Sequence, residues 1–197
     1  MQTLLKEKES QGISYGDYTA MIDNLLEKDK TTGENHSEDY INYTKLNVQR
    51  SNRIEKTIEI NDALKSEIDN VKTNQTWLVL AEAWCGDVPQ NLPVISKMAE
   101  LSDNINLKIV LRDEHLDLIE HYKTDGGIAI PKLIAFDNEF NELFNWGPRP
   151  APAQQIIRDW KADGKKEAYS DVAKRLQLWY AKDKTKTLQA EFEKLLK

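Results

Sequence analysis

Residues 77–93 read WLVLAEAWCGDVPQNLP. Trp77 to Ala81 is a short, unbroken apolar run, the pattern of a strand buried on both faces. It leads into Trp84-Cys85-Gly86-Asp87, and a helical pattern follows from Val88 to Leu101. Pro93 lies inside that helix, where a proline costs about 3 kcal/mol and bends the rod. Cys85 is the only cysteine of the chain, and it stands where strand gives way to helix. Backbone N–H groups and the helix dipole at such a junction favour an anion, so the position predicts a thiol pKa below the ~8.5 of free cysteine. Asp87 works in the other direction, because a carboxylate two residues away repels a thiolate. The alternative for Asp87 is to cap the helix by accepting from its free N–H groups. The bland alternative for Cys85 is a small, half-buried apolar residue kept at a strand end.

Working outward, the chain before this stretch is helical. Residues 1 to about 13 are polar and read as a fraying end. Ser14 to Lys28 forms an amphipathic pattern with Tyr18, Met21, Ile22 and Leu25 at helical spacing. Ser37, an N-cap candidate, opens a second helix to about Lys56, and Asn61 opens a third to about Val71. After the central stretch, Ile105 to Leu111 reads as a strand and His115 to Tyr122 as a short helix. Pro131 to Phe136 and Glu142 to Trp146 read as two more strands, joined by a turn and therefore antiparallel. Gly147-Pro148-Arg149-Pro150 breaks the chain before helices at about 152–162, 169–180 and 185–196. The order β-α-β-α-β-β-α, with a right-handed parallel crossover first, predicts a mixed four-stranded sheet with helices on both faces.

Composition narrows the function classes. The chain has 33 acidic and 27 basic residues and a formal net charge of -6, which argues against a general nucleic-acid binder and against an anionic membrane surface. One cysteine excludes an internal disulfide and a multi-cysteine zinc site. His115 and His121 are six apart and do not share a helix face at i, i+4, so no metal is expected. No apolar run approaches the ~18 residues that span a bilayer. The N-terminus lacks the basic and apolar regions of a signal peptide, so the expected location is the cytoplasm.

WCGDVPQNLP resembles the active-site segment of thioredoxins, in which a strand ends at Trp-Cys-Gly-X-Cys and a helix begins. Pro93, eight residues after Cys85, matches the proline of that helix. Gly127-Ile128-Ala129-Ile130-Pro131-Lys132-Leu133 resembles the thioredoxin segment around the cis-proline. The flanks YTKLN (43–47), LRDEH (111–115) and WGPRP (146–150) are similar to a bacterial thioredoxin-like subgroup with a helical N-terminal arm and a single-cysteine WCGD motif. The resemblance implies an α/β thioredoxin-like fold over residues 75–162, a helical N-terminal extension over 1–74 packed on it, and a C-terminal helical extension over 163–197.

Two residues depart from the thioredoxin pattern. Val88 stands where the resolving cysteine would be, and Val79 where thioredoxins carry a buried aspartate. A dithiol cycle within one chain is therefore impossible. The resemblance still implies that Cys85 is the reacting group, that Ile130-Pro131 is cis and lies beside it, and that Trp84, Gly86, Asp87, Ile130 and Pro131 form the docking surface. The leading expectation is monothiol exchange through Cys85, with a protein or a low-molecular-weight thiol or disulfide as partner, an external thiol resolving it, and no cofactor. The alternative is a non-catalytic interaction module; a weaker third is peroxide sensing through a sulfenic acid. Arg112 reads first as half of a surface ion pair with Asp113 or Glu114 and second as an aid to an anionic partner. Arg149 is a rim candidate.

Overall fold

The computed structural model describes residues 1–197. In chain order the elements are α1 (Gln2–Gln11), α2 (Tyr15–Leu26), α3 (Glu38–Thr57), α4 (Asp62–Asp69), β1 (Gln75–Ala81), α5 (Val88–Ala99), β2 (Ile105–Leu111), α6 (Leu116–Ile119), β3 (Lys132–Asp137), β4 (Glu142–Trp146), α7 (Ala151–Ala162), α8 (Tyr169–Asp183) and α9 (Lys186–Leu195). The four strands form one sheet in the order β2-β1-β3-β4. β2 runs parallel to β1, with Val79 opposite Ile109, and α5 makes the crossover. β3 is antiparallel to β1, and β4 to β3.

β1 is buried at all of its positions, and its alternation sets the layers. Side chains of successive strand residues point to opposite faces. Trp77, Val79 and Ala81 enter one core, with Leu64 and Ile68 of α4, Leu92 and Ile95 of α5, and Phe192 of α9. Leu78 and Leu80 enter the other, with Leu5 of α1, Leu118 and Ile119 of α6, and Phe136 of β3. This double cover is why the strand reads as a continuous apolar run. Phe192 holds the C-terminal helix to the sheet, its ring 5.5 Å from both Trp77 and Trp146. A third cluster, built on Ala153, Ile157, Val172 and Leu176, packs α8 onto α7.

The N-terminus corrects the sequence expectation. Residues 2–11 form a helix rather than a fraying end. Leu5 is 0 % exposed, and Ile13 exchanges backbone hydrogen bonds of 2.9 and 2.8 Å with Ile109 at the edge of β2. The local sequence is polar, but Leu5, the strand contact of Ile13, and the bonds of Lys8 to Asp117 and of Thr76 to Glu9, all made across the fold, hold the segment. Capping also divides. The Asn61 side-chain oxygen Oδ1 accepts from Leu64 N at 2.9 Å, whereas Ser37 occupies the N-cap of α3 without a side-chain bond.

Candidate functional site

β1 ends at Ala81, and Glu82 to Asp87 turn the chain into α5. The turn carries Cys85 to the far segment before β3. The Cys85 thiol donates to the Ile130 carbonyl at 3.3 Å, and the Ile130-Pro131 peptide is cis. Cys85, Trp84 and Gly86 are half-buried, while Asp87, Ile130 and Pro131 are buried. Asp87 and Ile130 thus belong beneath the surface. The Ile130 carbonyl, which could have bonded an extended peptide, already accepts one hydrogen bond, from the thiol.

The rest of the turn is bound by the helical extensions. Asn47 of α3 donates to the carbonyls of Ala83 at 2.8 Å and Cys85 at 3.1 Å. Arg50, one turn on, donates to the Asn47 side-chain oxygen Oδ1. Gln177 of α8 donates to the Gly86 carbonyl at 3.1 Å and accepts from Gln90. Trp84 lies between the Tyr40 ring, 5.2 Å away, and the Arg112 guanidinium, 4.8 Å from its centroid. Arg112 is also paired with Asp113 at 2.6 Å, as the first of its two expected roles requires.

Asp87 occupies the N-cap of α5, but its side chain makes no cap bond to the helix. Its carboxylate accepts from Arg149 Nε at 3.1 Å and again from the second guanidinium nitrogen. The Tyr180 hydroxyl donates to its other oxygen at 2.7 Å. Both partners of the ion pair have side chains only 8 % exposed. Arg149 reaches on to Gln154 at 2.6 Å. It is therefore a buried structural cation, not an open rim group. Burial works against its charge, and the Asp87 carboxylate more than restores it, leaving the guanidinium above its ordinary value. Burial and the same carboxylate hold the Tyr180 phenol well above its ordinary range.

The thiol departs from its expected direction. Burial, with the Asp87 charge second, pushes Cys85 up to about 12. The backbone N–H groups of Asp87 and Val88 and the charge of Arg149 act the other way and lose. Helix-start stabilisation is present; desolvation of the ionised sulfur outweighs it. At neutral pH the thiol is protonated.

The two valines explain themselves by position. Val79 pairs with Ile109 and Leu133 in the centre of the sheet, and Val88 opens α5 inside the main core. Both side chains are buried, at 0 % and 4 % exposure. Sequence reasoning missed Glu82, Asn47, Gln177 and Tyr180. Glu82 is 0 % exposed, accepts from Asp113 N at 2.9 Å, and is pushed above the usual carboxylate range by burial. Its signal was a lone acid directly after an apolar strand. The other three lie in helices whose apolar stripes drew the attention, and their partners are 36 to 93 residues away.

Replacing Asn47 by alanine leaves one buried and one half-buried carbonyl without this donor. The expected loss is about 2 kcal/mol, read as a lower urea midpoint at unchanged slope. A loss within the noise of a surface substitution would show that Asn47 does not hold the turn.

A thioredoxin family model matches residues 33–161. No curated protein sequence matches the chain. Among solved structures, a protein of unknown function from Pseudomonas aeruginosa, PA1234, is 19% identical, with a TM-score of 0.61, covering 95% of this chain and 93% of that one. An HIV epitope scaffold is 18% identical, with a TM-score of 0.55, covering 93% of this chain and 98% of that one. At these identities the likeness is one of fold.

Proposed function

The chain belongs to the thioredoxin family, and we propose that it works as a binding module of that family rather than as a self-sufficient oxidoreductase. One observation carries the reading. The carbonyls of Cys85, Gly86 and Asp87, the Asp87 carboxylate and the Cys85 thiol are each bound by other residues of the same chain. The turn that would do chemistry is held as a joint between the sheet and its helical extensions. The surface left beside it is aromatic. Trp84 is half-buried, Tyr43 of α3 is 56 % exposed, and Tyr169 of α8 is 55 % exposed. Tyr169 opens α8, the helix whose Gln177 holds the Gly86 carbonyl. Aromatic side chains of this kind are enriched where proteins dock, and the partner class is a protein.

A second reading, monothiol exchange, is favoured by the half-buried thiol lying against the cis Ile130-Pro131 bond. In it Cys85 loses its proton and attacks one sulfur of a partner disulfide. The other sulfur leaves, takes up a proton as a thiol, and an external thiol later releases the mixed disulfide. The lost proton makes the difference, because the thiolate is the nucleophile and burial disfavours it here.

One experiment separates the two. The native chain is incubated at neutral pH with an oxidised low-molecular-weight disulfide, and its intact mass is followed. The binding reading expects no adduct in the native state and one adduct after unfolding. Rapid formation of a native mixed disulfide would replace it with the second reading.

A further inference from the structure

Between α2 and α3, over the first turns of α5, the fold leaves a cleft of about 220 Å³, far more than one water requires. Its floor is apolar, formed by Ile22, Val48, Val88 and Leu92. Its charge has one sign. Asp23 of α2 and Glu55 of α3 line it, and no lysine, arginine or histidine does. Neither carboxylate takes part in an ion pair; Glu55 accepts from the Tyr15 hydroxyl. Tyr18 forms part of the wall at 2 % exposure, and its hydroxyl has no hydrogen-bond partner. Buried hydroxyls in native structures are nearly always paired, so this one is an independent sign of an incomplete site.

These features select one chemistry. Carboxylates attract an ammonium, and the apolar floor favours a hydrocarbon. We propose that the cleft binds a small organic amine, its ammonium at Asp23 and Glu55 and its apolar body on Ile22, Val48 and Leu92. The ligand lies directly behind the thiol turn. Asn47 lines the cleft and also holds the Ala83 and Cys85 carbonyls. The proposal is independent of whether Cys85 reacts.

The test uses three probes of one length, n-hexylamine, n-hexanol and hexanoate, titrated at neutral pH into the full chain and followed by amide NMR. Hexylamine is expected to shift the Asn47, Val48 and Val88 signals saturably and to bind at least tenfold tighter than hexanol. Hexanoate gives no saturable shift. The doubly substituted Asp23→Asn/Glu55→Gln chain is near-isosteric at exposed positions, and in it the amine preference falls below threefold with the rest of the spectrum retained. Val48→Phe, which fills the floor, removes binding of both amine and alcohol. Absence of saturable hexylamine binding, equal binding of amine and alcohol, saturable hexanoate binding, or a full amine preference in the doubly substituted chain overturns the proposal.

Discussion

Replacing Arg149 by leucine lowers the stability of the chain by about 3–5 kcal/mol, the usual cost of removing one partner from a buried ion pair. The size follows from burial. Both side chains of the pair are 8 % exposed, so the Asp87 carboxylate left behind has Tyr180 but little water to replace two guanidinium hydrogen bonds. At roughly 2–4 °C per kcal/mol for a chain of this size, the melting point falls by on the order of 10 °C. Asp87→Asn/Arg149→Leu is expected to be more stable than Arg149→Leu alone, because it removes the uncompensated charge together with its partner. A double-mutant cycle by urea unfolding reads this coupling. Additive losses from the two positions would mean that the pair is not the lock between the thiol turn and the segment after β4.

Gly147→Ala has an effect of similar or larger size for a different reason. Gly147 has φ +118, and a Cβ built there lies 2.2 Å from the Pro131 carbonyl oxygen and 3.3 Å from Lys132 Cα. Both obstacles are backbone, so no side-chain rotation relieves them. The expected loss is about 4 kcal/mol or more, the range reserved for strain and overpacking in the core, and it shows as a collapse of the unfolding midpoint or of soluble yield. Gly126→Ala is the control. Gly126 also has positive φ, +78, but open space around its Cβ direction, so its cost is only the left-handed backbone, about 1–2 kcal/mol. Equal losses at the two glycines would show that the close approach of 147 to Pro131 is unimportant.

The fold was legible because its decisive signals are local. An apolar run, a turn with a lone cysteine and a helix containing Pro93 follow one another within 17 residues, and each reports a backbone state that short-range sterics and burial impose. The layers followed from the alternation along β1. The N-terminal helix was not legible, because Leu5 and Ile13 are fixed by partners more than 70 residues away, and their neighbours read as solvent-facing. The state of the site was hidden for the same reason. The position of Cys85 at the start of α5 was visible, and so was the stabilisation a helix start gives a thiolate. The burial that overrides it comes from the sheet, the Ile130 segment and the helical extensions together. Asp87 shows the same limit: next to a helix start it reads as a cap, yet the groups that claim it come 62 and 93 residues later.

A raised thiol pKa also has a thermodynamic sign. The unfolded chain ionises Cys85 near the ordinary ~8.5, while the folded chain holds the proton until about 12. The stabilisation is fully present below pH 8.5 and is lost as pH rises through that window, where the unfolded state binds fewer protons. Cys85→Ala lacks this contribution, so its stability falls less steeply than that of the parent chain above pH 8.5, and the tyrosines cancel in the comparison.

The rate of Cys85 alkylation against pH, in the native chain and in the same chain unfolded in urea, decides whether burial holds the thiol protonated. The native rate is expected to climb by about tenfold per pH unit, as a thiol far from its pKa does, with no plateau up to pH 10, while the unfolded thiol levels off near its ordinary value. A native plateau at or below the midpoint of the unfolded chain would contradict this expectation, and would return Cys85 to the role of an activated nucleophile.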